Sequence, residues 1–338
     1  MPTNMQRWEL AQYGREHLAR VNATVPTPQR GEILVRVSAV ALNYRDRLMV
    51  ENGMGMALNA PLIPASDMAG EVVGLGPEVT RFALGDRVLS TFFPGWREGA
   101  YHSAYAPLGG PLPGMLAEYV VLDQEWAVSA PRSLDAIQAS TLPCAALTAW
   151  FALVENGKLH AGQTVVVQGT GGVALFGLQF ARAHGASVIV TTGNDEKLSR
   201  ALALGATYGI NRYGTPAWGA RVQELTAGHG ADHVLELVGG DNLAQSLEAL
   251  AQGGRISQIG ILEGLEMTAP VVPMLQKRAT IQGIGVGHRR AFEDMIAAVD
   301  HTGIEPVVDS VFSFNDLPAA LERLDSGPFG KVVVRVGG

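Results

Sequence analysis

The stretch VVVQGTGGVALFG at residues 165–177 decides how this chain is read. Its apolar start predicts a buried strand over Thr164 to Gln168. Gly169, Thr170, Gly171, Gly172, Val173 and Ala174 then carry the chain straight into a helix predicted from Val173 to His184. Each small residue has a use there. Gly169 permits a sharp turn, Gly171 lets backbone approach a pyrophosphate, and Ala174 allows close helix packing, while the helix N-terminus offers N–H donors and positive potential. A glycine pattern alone is weak evidence. This one follows a strand and opens a helix, so it reads as a dinucleotide-binding loop, the alternative being a merely structural tight turn.

Working outward, the alternation continues. Strands are predicted over Ser187 to Thr191, Tyr208 to Asn211, His233 to Val238, Arg255 to Ile259 and Thr280 to Val286. Helices are predicted over Glu196 to Leu204, Trp218 to Thr226 and Asn242 to Ala251. Strand and helix repeated in this way mean a parallel, doubly wound sheet. On the other side of the loop, Pro143 to Glu155 reads as a helix. Residues 25 to 125 alternate short strands (Ile33 to Ala41, Glu71 to Leu75, Arg87 to Thr91, Tyr119 to Leu122) with Gly and Pro punctuation, as a small barrel or sandwich-like domain does. Phe92, Phe93, Trp96, Tyr101 and Tyr105 stand in a long loop from Phe92 to Leu116. It reads either as a functional loop facing a bulky planar substrate or as one packed on its own aromatics. After His288 come a helix to about Asp300, another over Leu317 to Leu324, and a final strand Lys331 to Val336.

The 338 residues suggest two domains, and 47% apolar against 17% charged residues excludes a disordered chain. A net charge of −7 without a polybasic run argues against nucleic acid and anionic lipid as partners. No apolar run is long enough for a membrane span and the N-terminus lacks a signal-peptide core, so a soluble, cytoplasmic protein is expected. The lone cysteine, Cys144, permits neither an internal disulfide nor a four-cysteine zinc cage.

Which dinucleotide is decided at the end of the second strand, where an NAD site offers Asp or Glu to the ribose diol. This chain offers Thr191, Thr192, Gly193 and Asn194. With no carboxylate to repel it, a 2′-phosphate would be held by Thr192 beside Gly193, by Lys197 and Arg200, or by Arg212, which favours NADP(H) over NAD(H). The other reading makes Lys197 and Arg200 ordinary solvated helix residues.

VALNYRD at 40–46, PASDMAGEV at 64–72, the loop at 169–174, LALGA at 202–206 and GKVVV at 330–334 carry a resemblance to the medium-chain dehydrogenase/reductase superfamily over essentially the whole chain. The resemblance implies an α/β protein. A GroES-like, β-rich catalytic domain would be built from both chain ends, 1–146 and 288–338, around a Rossmann domain at 147–287, with the active-site cleft where they meet. The zinc alcohol dehydrogenases of this superfamily hold catalytic zinc at positions matched here by Asn43, Ser66 (followed by Asp67) and Cys144. An amide and a hydroxyl are poor zinc ligands, so no catalytic metal is expected. Nor does any cysteine between 90 and 118 build the structural-zinc lobe.

The pattern resembles the zinc-free branch of quinone oxidoreductases and enoyl reductases. That implies NADPH-dependent hydride transfer to a quinone or an α,β-unsaturated carbonyl, an acceptor already activated by conjugation. Asn43, Tyr44 and Ser66 would be donors to the developing oxyanion, with Asp67 beside them and Tyr44 or water as the proton source. Carried over residue by residue, Thr148 would pack beside the nicotinamide, Val238 would line the ribose side and Gly260 would sit under the cofactor. Gly285 and Val286 would meet the carboxamide, and Lys331 the pyrophosphate. The run Thr280 to Val286 resembles the edge strand through which relatives pair, so a homodimer is expected. Two other readings stay open: an alcohol dehydrogenase or carbonyl reductase with a degenerate metal site including Cys144 and Asp67, and a non-catalytic NADPH-binding sensor.

Overall fold

A computed structural model of the chain describes residues 2–337. It divides into two compact units, Met1–Leu147 with Gly287–Gly338, and Thr148–Val286, so Leu147 and Gly287 both go with the first. Among the described residues no helix is long and apolar enough to cross a membrane.

The second unit is a six-stranded parallel sheet. Its spatial order is Tyr208–Asn211, Ser187–Thr192, Thr164–Gln168, Ala231–Glu236, Leu250–Gln258, Thr280–Gly283. Helices cover both faces, which is why its central strands are continuous apolar runs: Val165, Val166, Val167, Val188, Ile189, Val234 and Leu235 are wholly buried. Leu178, Ala174 and Ala181 of the helix Gly172–Ala183 pack on one face. Trp218 and Val222 of the helix Trp218–Leu225, with Leu243 and Leu247 of the helix Asn242–Ala249, pack on the other. Strand order reverses between Thr164–Gln168 and Ala231–Glu236, and at that switch point a doubly wound sheet opens a crevice at its carboxyl ends.

Two features depart from the sequence reading. A helix Val271–Lys277 stands where none was expected; it buries no residue, so its sequence carries no amphipathic signal. The last strand ends at Gly283 rather than Val286, and Val286 takes a left-handed φ of 61°, an uncommon choice for a β-branched residue.

The first unit is built on one long strand, Glu32–Leu42, whose two halves serve different partners. Residues 32–36 pair with Tyr119–Asp123 and residues 39–42 with Lys331–Arg335, while Asp67–Leu75 runs antiparallel along the other edge. Val308–Ser313, Arg87–Ser90 and Ala127–Ser129 extend the sheet at its ends. The register decides the site. Leu42 faces Val332 and Ala41 faces Asp67, so the residues just beyond Leu42 arrive beside Lys331 and Asp67 at one end of the sheet.

A separate hairpin, Asn4–Leu10 with Leu18–Thr24, escapes the sequence reading because its second strand is mostly solvent-facing and polar. So does the helix Tyr44–Asn52 that follows the long strand. The helix expected from 143 to 155 is present but widened, with i→i+5 bonds closing Leu142–Ala146 and Phe151–Glu155 around the ordinary turn Leu147–Trp150. Wide turns of this kind recur at functional sites.

Candidate active site

At the end of the long strand, Asn43 caps the helix Tyr44–Asn52 with its backbone, in extended conformation. Its N–H donates to Asp46 Oδ2 at 2.7 Å and its carbonyl accepts from the Asp46 N–H at 2.9 Å, a reciprocal arrangement that rigidifies the turn. The side chain is held as firmly. Lys331 Nζ donates to Asn43 Oδ1 at 2.6 Å and to the Leu42 carbonyl at 2.7 Å, all of it buried. With its oxygen on Lys331, the Asn43 side chain turns its buried Nδ2 toward the Asp67 carboxyl and favours that group's charged form.

Beside this pair, Ser66 Oγ donates to Asp67 Oδ1 at 2.6 Å, and Asp67 Oδ2 accepts the Cys144 N–H at 3.1 Å from the widened turn. Ser66 and Asp67 are fully buried. Burial pushes the Asp67 carboxyl up against the pull of the Lys331 ammonium, and it pushes Asp46 up to about 6, with the charge of Asp67 adding to it. The Cys144 thiol is driven above its ordinary range by burial and by Asp67.

Lys331 is 3% exposed, with its ammonium on the Leu42 carbonyl and Asn43 Oδ1, and the Ser66 hydroxyl proton goes to Asp67. Tyr44, by contrast, is 38% exposed at the first turn of its helix, with the Arg47 guanidinium over its ring.

As a metal cage this set does not fit. The amide oxygen of Asn43 already takes a lysine ammonium, Ser66 offers a hydroxyl bound to its neighbour, and the Cys144 sulfur resists becoming a thiolate. Among the described residues no three His, Cys, Asp or Glu side chains group as a metal site.

In the second unit the residues expected to hold a dinucleotide do fit one. Gly169 has φ 78°, and no atom lies within 4 Å of where a Cβ would stand on Gly169 or Gly171, an open cradle that side chains would fill. The helix Gly172–Ala183 begins with Gly171 as its cap, which has no side chain to accept from the first-turn N–H groups. Those donors and the helix dipole therefore face the cradle, as an anionic pyrophosphate requires. Thr170 is buried in the same turn, and Gly285 is likewise open at its Cβ position. Gly260 has a different reason to be glycine: a Cβ there would collide with the Leu237 carbonyl at 1.8 Å. Thr148 is buried in the ordinary turn, and Val238 is buried at the switch point.

What holds the cradle was missed from the sequence. Glu236, fully buried at the carboxyl end of its strand, accepts from the N–H groups of Val238 and Gly239 on Oε1 (3.0 Å each). Oε2 takes Gln168 Nε2 (2.9 Å) and Ser246 Oγ, and Asn242 Nδ2 reaches both oxygens. Gln168 immediately precedes Gly169. One carboxylate thus ties the glycine loop to the 238–240 turn across the switch point, with every acceptor position used. The signal was a lone acidic residue inside an apolar strand, VLELV at 234–238.

At the ribose end Thr192 is buried, and its carbonyl accepts the Arg212 N–H at 2.9 Å. Arg212 pairs with Glu263 at 3.0 Å and lies 5.1 Å from the centre of the Tyr213 ring. Gly193 is a packing position for that ring, since a Cβ would stand 2.4 Å from Tyr213 Cε2. Neither Tyr213 nor Glu263 was singled out from the sequence. Lys197 lies in the first turn of the helix Asp195–Ala203, capped by Asn194 Oδ1 at 2.8 Å.

The aromatic loop takes the self-packed reading. Phe93 meets Phe92, Trp96 and Tyr101 edge to face, Trp96 stacks on Tyr105, and His288 closes on Trp96. Phe92 and Trp96 are buried, and Tyr101 is half exposed.

Comparison with known proteins finds dehydrogenase and oxidoreductase relatives along most of the chain. The family model described as alcohol dehydrogenase GroES-like domain matches residues 29–132, and that described as zinc-binding dehydrogenase matches 172–301. The chain is 41% identical over 318 residues to a zinc-type alcohol dehydrogenase-like protein of Schizosaccharomyces pombe, covering 90% of this chain and 91% of that one. It is 25% identical over 325 residues to the quinone oxidoreductase of Homo sapiens, covering 93% and 92%. A crystal structure from Sinorhizobium meliloti that carries an alcohol dehydrogenase name superposes with a TM-score of 0.97 at 55% identity, over 99% of this chain and 100% of that one.

Proposed function

The chain belongs to the medium-chain dehydrogenase/reductase superfamily, and from that premise we propose that it is an NADPH-dependent reductase of conjugated acceptors, quinones or α,β-unsaturated carbonyls, working without a catalytic metal. One observation carries the reading: at the positions where zinc dehydrogenases place metal ligands stand a lysine-bound amide and a serine–aspartate pair. Without a Lewis acid an isolated carbonyl is a poor hydride acceptor, whereas a conjugated one delocalises the incoming charge onto its oxygen.

NADPH, when bound, supplies the hydride. The glycine cradle of the second unit and the N-terminus of its helix would hold the pyrophosphate, and Arg212 with Lys197 would favour the 2′-phosphate. In the first unit Asn43 and Tyr44 would be the donors to the substrate carbonyl oxygen. In an acceptor taking hydride at its β-carbon, the alkene pair would become the bond between α-carbon and carbonyl carbon and the carbonyl π pair would move to oxygen, where a donor strengthens its hold on the enolate. A proton from the exposed Tyr44 hydroxyl or from water then completes the α-carbon. The widened turn that carries Cys144 places no nucleophile in the reaction, since burial keeps its thiol protonated.

We also propose a homodimer. The strand Thr280–Gly283 ends the sheet with an unpaired edge, and the neighbouring helix exposes Val271, Val272 and Leu275. A monomer mass in sedimentation at micromolar concentration would refute it.

The test of function is initial rates of NADPH and NADH oxidation by chelator-treated protein with enones, enals, quinones and simple aldehydes. Turnover of the conjugated acceptors with NADPH preferred is expected. Activity that returns only on adding zinc, or tight NADPH binding without turnover, would replace this reading with the metal-dependent or the sensor alternative.

A further inference from the structure

We propose that Glu263 is a specificity-determining residue for the dinucleotide: its carboxylate holds the Arg212 guanidinium that a 2′-phosphate needs, so NADPH has to take the arginine from it, while NADH leaves the pair closed. The inference rests on the reading of Arg212 as a 2′-phosphate ligand and names what competes for it.

The end of the second strand has no carboxylate of its own at residues 191–194, and the fold brings one from elsewhere. Arg212 is rooted beside that strand, its N–H on the Thr192 carbonyl at 2.9 Å. Glu263 comes from the loop after Leu250–Gln258, and its N–H is fixed at 2.9 Å on the carbonyl of Val238, just beyond the strand Ala231–Glu236. Between Ser187–Thr192 and Ala231–Glu236 the sheet holds Thr164–Gln168, the strand that leads into the glycine cradle. A strand spacing of about 4.8 Å sets the two roots on the order of 10 Å apart, a gap that an arginine and a glutamate can close together. They do so, with Arg212 Nη1 at 3.0 Å from Glu263 Oε1. The ion pair therefore crosses the carboxyl end of the strand at which a doubly wound sheet takes its nucleotide.

Both partners are held for this contact. The Arg212 guanidinium lies over the Tyr213 ring, and that ring uses the space left by the missing side chain of Gly193. On the other side Gly240 is left-handed at φ 59°, and a Cβ there would press on the Glu263 carbonyl at 3.1 Å, so the 238–240 turn and the Glu263 loop pack closely. That turn is in its turn fixed by Glu236. The ion pair itself is exchangeable: its side chains are 34% and 47% exposed, and an ion pair in contact with water is weak. Glu263 engages the guanidinium through a single hydrogen bond. A phosphate monoester, with roughly two negative charges and three acceptor oxygens, offers a guanidinium a stronger, bidentate partner. The neutral ribose hydroxyls of NADH offer none that displaces a carboxylate. Once displaced, the carboxylate still stands close to the phosphate and repels it, so Glu263 weakens NADPH binding and leaves NADH binding alone.

The experiment measures dissociation constants for NADPH and NADH by nucleotide fluorescence on the parent chain, Glu263→Gln, Arg212→Ala and the double variant Arg212→Ala/Glu263→Gln. Glu266→Gln, which removes a carboxylate of the same loop, controls for the loss of charge alone. Glu263→Gln should tighten NADPH about three- to tenfold and leave NADH within about twofold, and Glu266→Gln should move neither by more than about twofold. In the Arg212→Ala background Glu263→Gln should change NADPH affinity by less than about twofold, because the competition runs through the arginine. An unchanged NADPH affinity in Glu263→Gln, or an equal gain with Arg212 absent, would overturn the inference. So would weakened NADH binding in Glu263→Gln, which would assign the carboxylate to the ribose hydroxyls. The two readings fail differently. If Arg212→Ala leaves the ratio of NADPH to NADH affinity unmoved, Arg212 is no phosphate ligand and the inference falls with that reading; if the ratio drops while Glu263→Gln changes nothing, the phosphate reading stands and the competition alone fails.

Discussion

Replacing Asp46 by asparagine should raise stability relative to the parent progressively as pH rises from about 4 to about 7. Asp46 is 2% exposed, and its carboxyl titrates at about 6 in the fold against 3.8 in an unfolded chain, chiefly through burial and secondly through Asp67. The native state therefore holds a proton that the unfolded state has lost, so stability falls as pH rises from about 4 through about 6. The full cost above that window is the shift multiplied by 1.36 kcal/mol per unit, about 3 kcal/mol. Asparagine keeps the acceptor that Asn43 N–H uses and carries no charge to desolvate. The position of Oδ1, which has no partner, gives the amide group a penalty that is the same at every pH.

Urea transitions of both proteins from pH 4 to pH 8 separate the two effects. The stability of Asp46→Asn relative to the parent should climb by about 3 kcal/mol between pH 4 and pH 7 and then level off. In thermal scans the same rise is about 6–12 °C for a unit of this size. A difference that is flat with pH would mean that the carboxyl titrates normally. One that falls as pH rises would mean that Lys331 and Arg45 hold it ionised, and either result would refute the reasoning.

Gly171→Ala should leave stability within about 0.5 kcal/mol, since nothing lies within 4 Å of the added methyl, yet weaken NADPH binding at least about tenfold by filling the cradle; unaltered binding would remove the loop from the cofactor site. Arg212→Ala should lower the ratio of NADPH to NADH efficiency by about tenfold, and an unmoved ratio would assign this arginine to Glu263 alone. Glu236→Gln turns an amide donor onto donors already present from Gln168 and Ser246, so a loss of about 1–3 kcal/mol is expected together with weaker nucleotide binding; a stable variant with full affinity would contradict the clamp. Tyr44→Phe should lower kcat by about 10²–10⁴-fold if its hydroxyl delivers the proton, while a loss under tenfold assigns that step to water.

The second unit was the more legible part because its information is local. A buried parallel strand is a continuous apolar run, the turn after it needs glycine, and the helix that follows repeats at its own period, all within residues 164–183. Elements with little buried face gave no such pattern: the helix Val271–Lys277 buries nothing, and Leu18–Thr24 is mostly solvent-facing. The aromatic content of the 92–105 loop was plain, but whether its rings faced outward or met each other depended on their packing.

The chain order by itself determined the doubly wound sheet, the glycine cradle and the lack of a carboxylate at residues 191–194, because each follows from residue type at short spacing. Only the tertiary structure decided what Lys331, Ser66 and Glu236 do. Lys331 lies 288 positions from Asn43, and strand register joins them; Ser66 proved to be spent on its neighbour; and Glu236 reaches Gln168 across a switch point 68 residues apart. A buried charge must find partners wherever the fold brings them, and a sequence records the charge without recording which distant group will answer it.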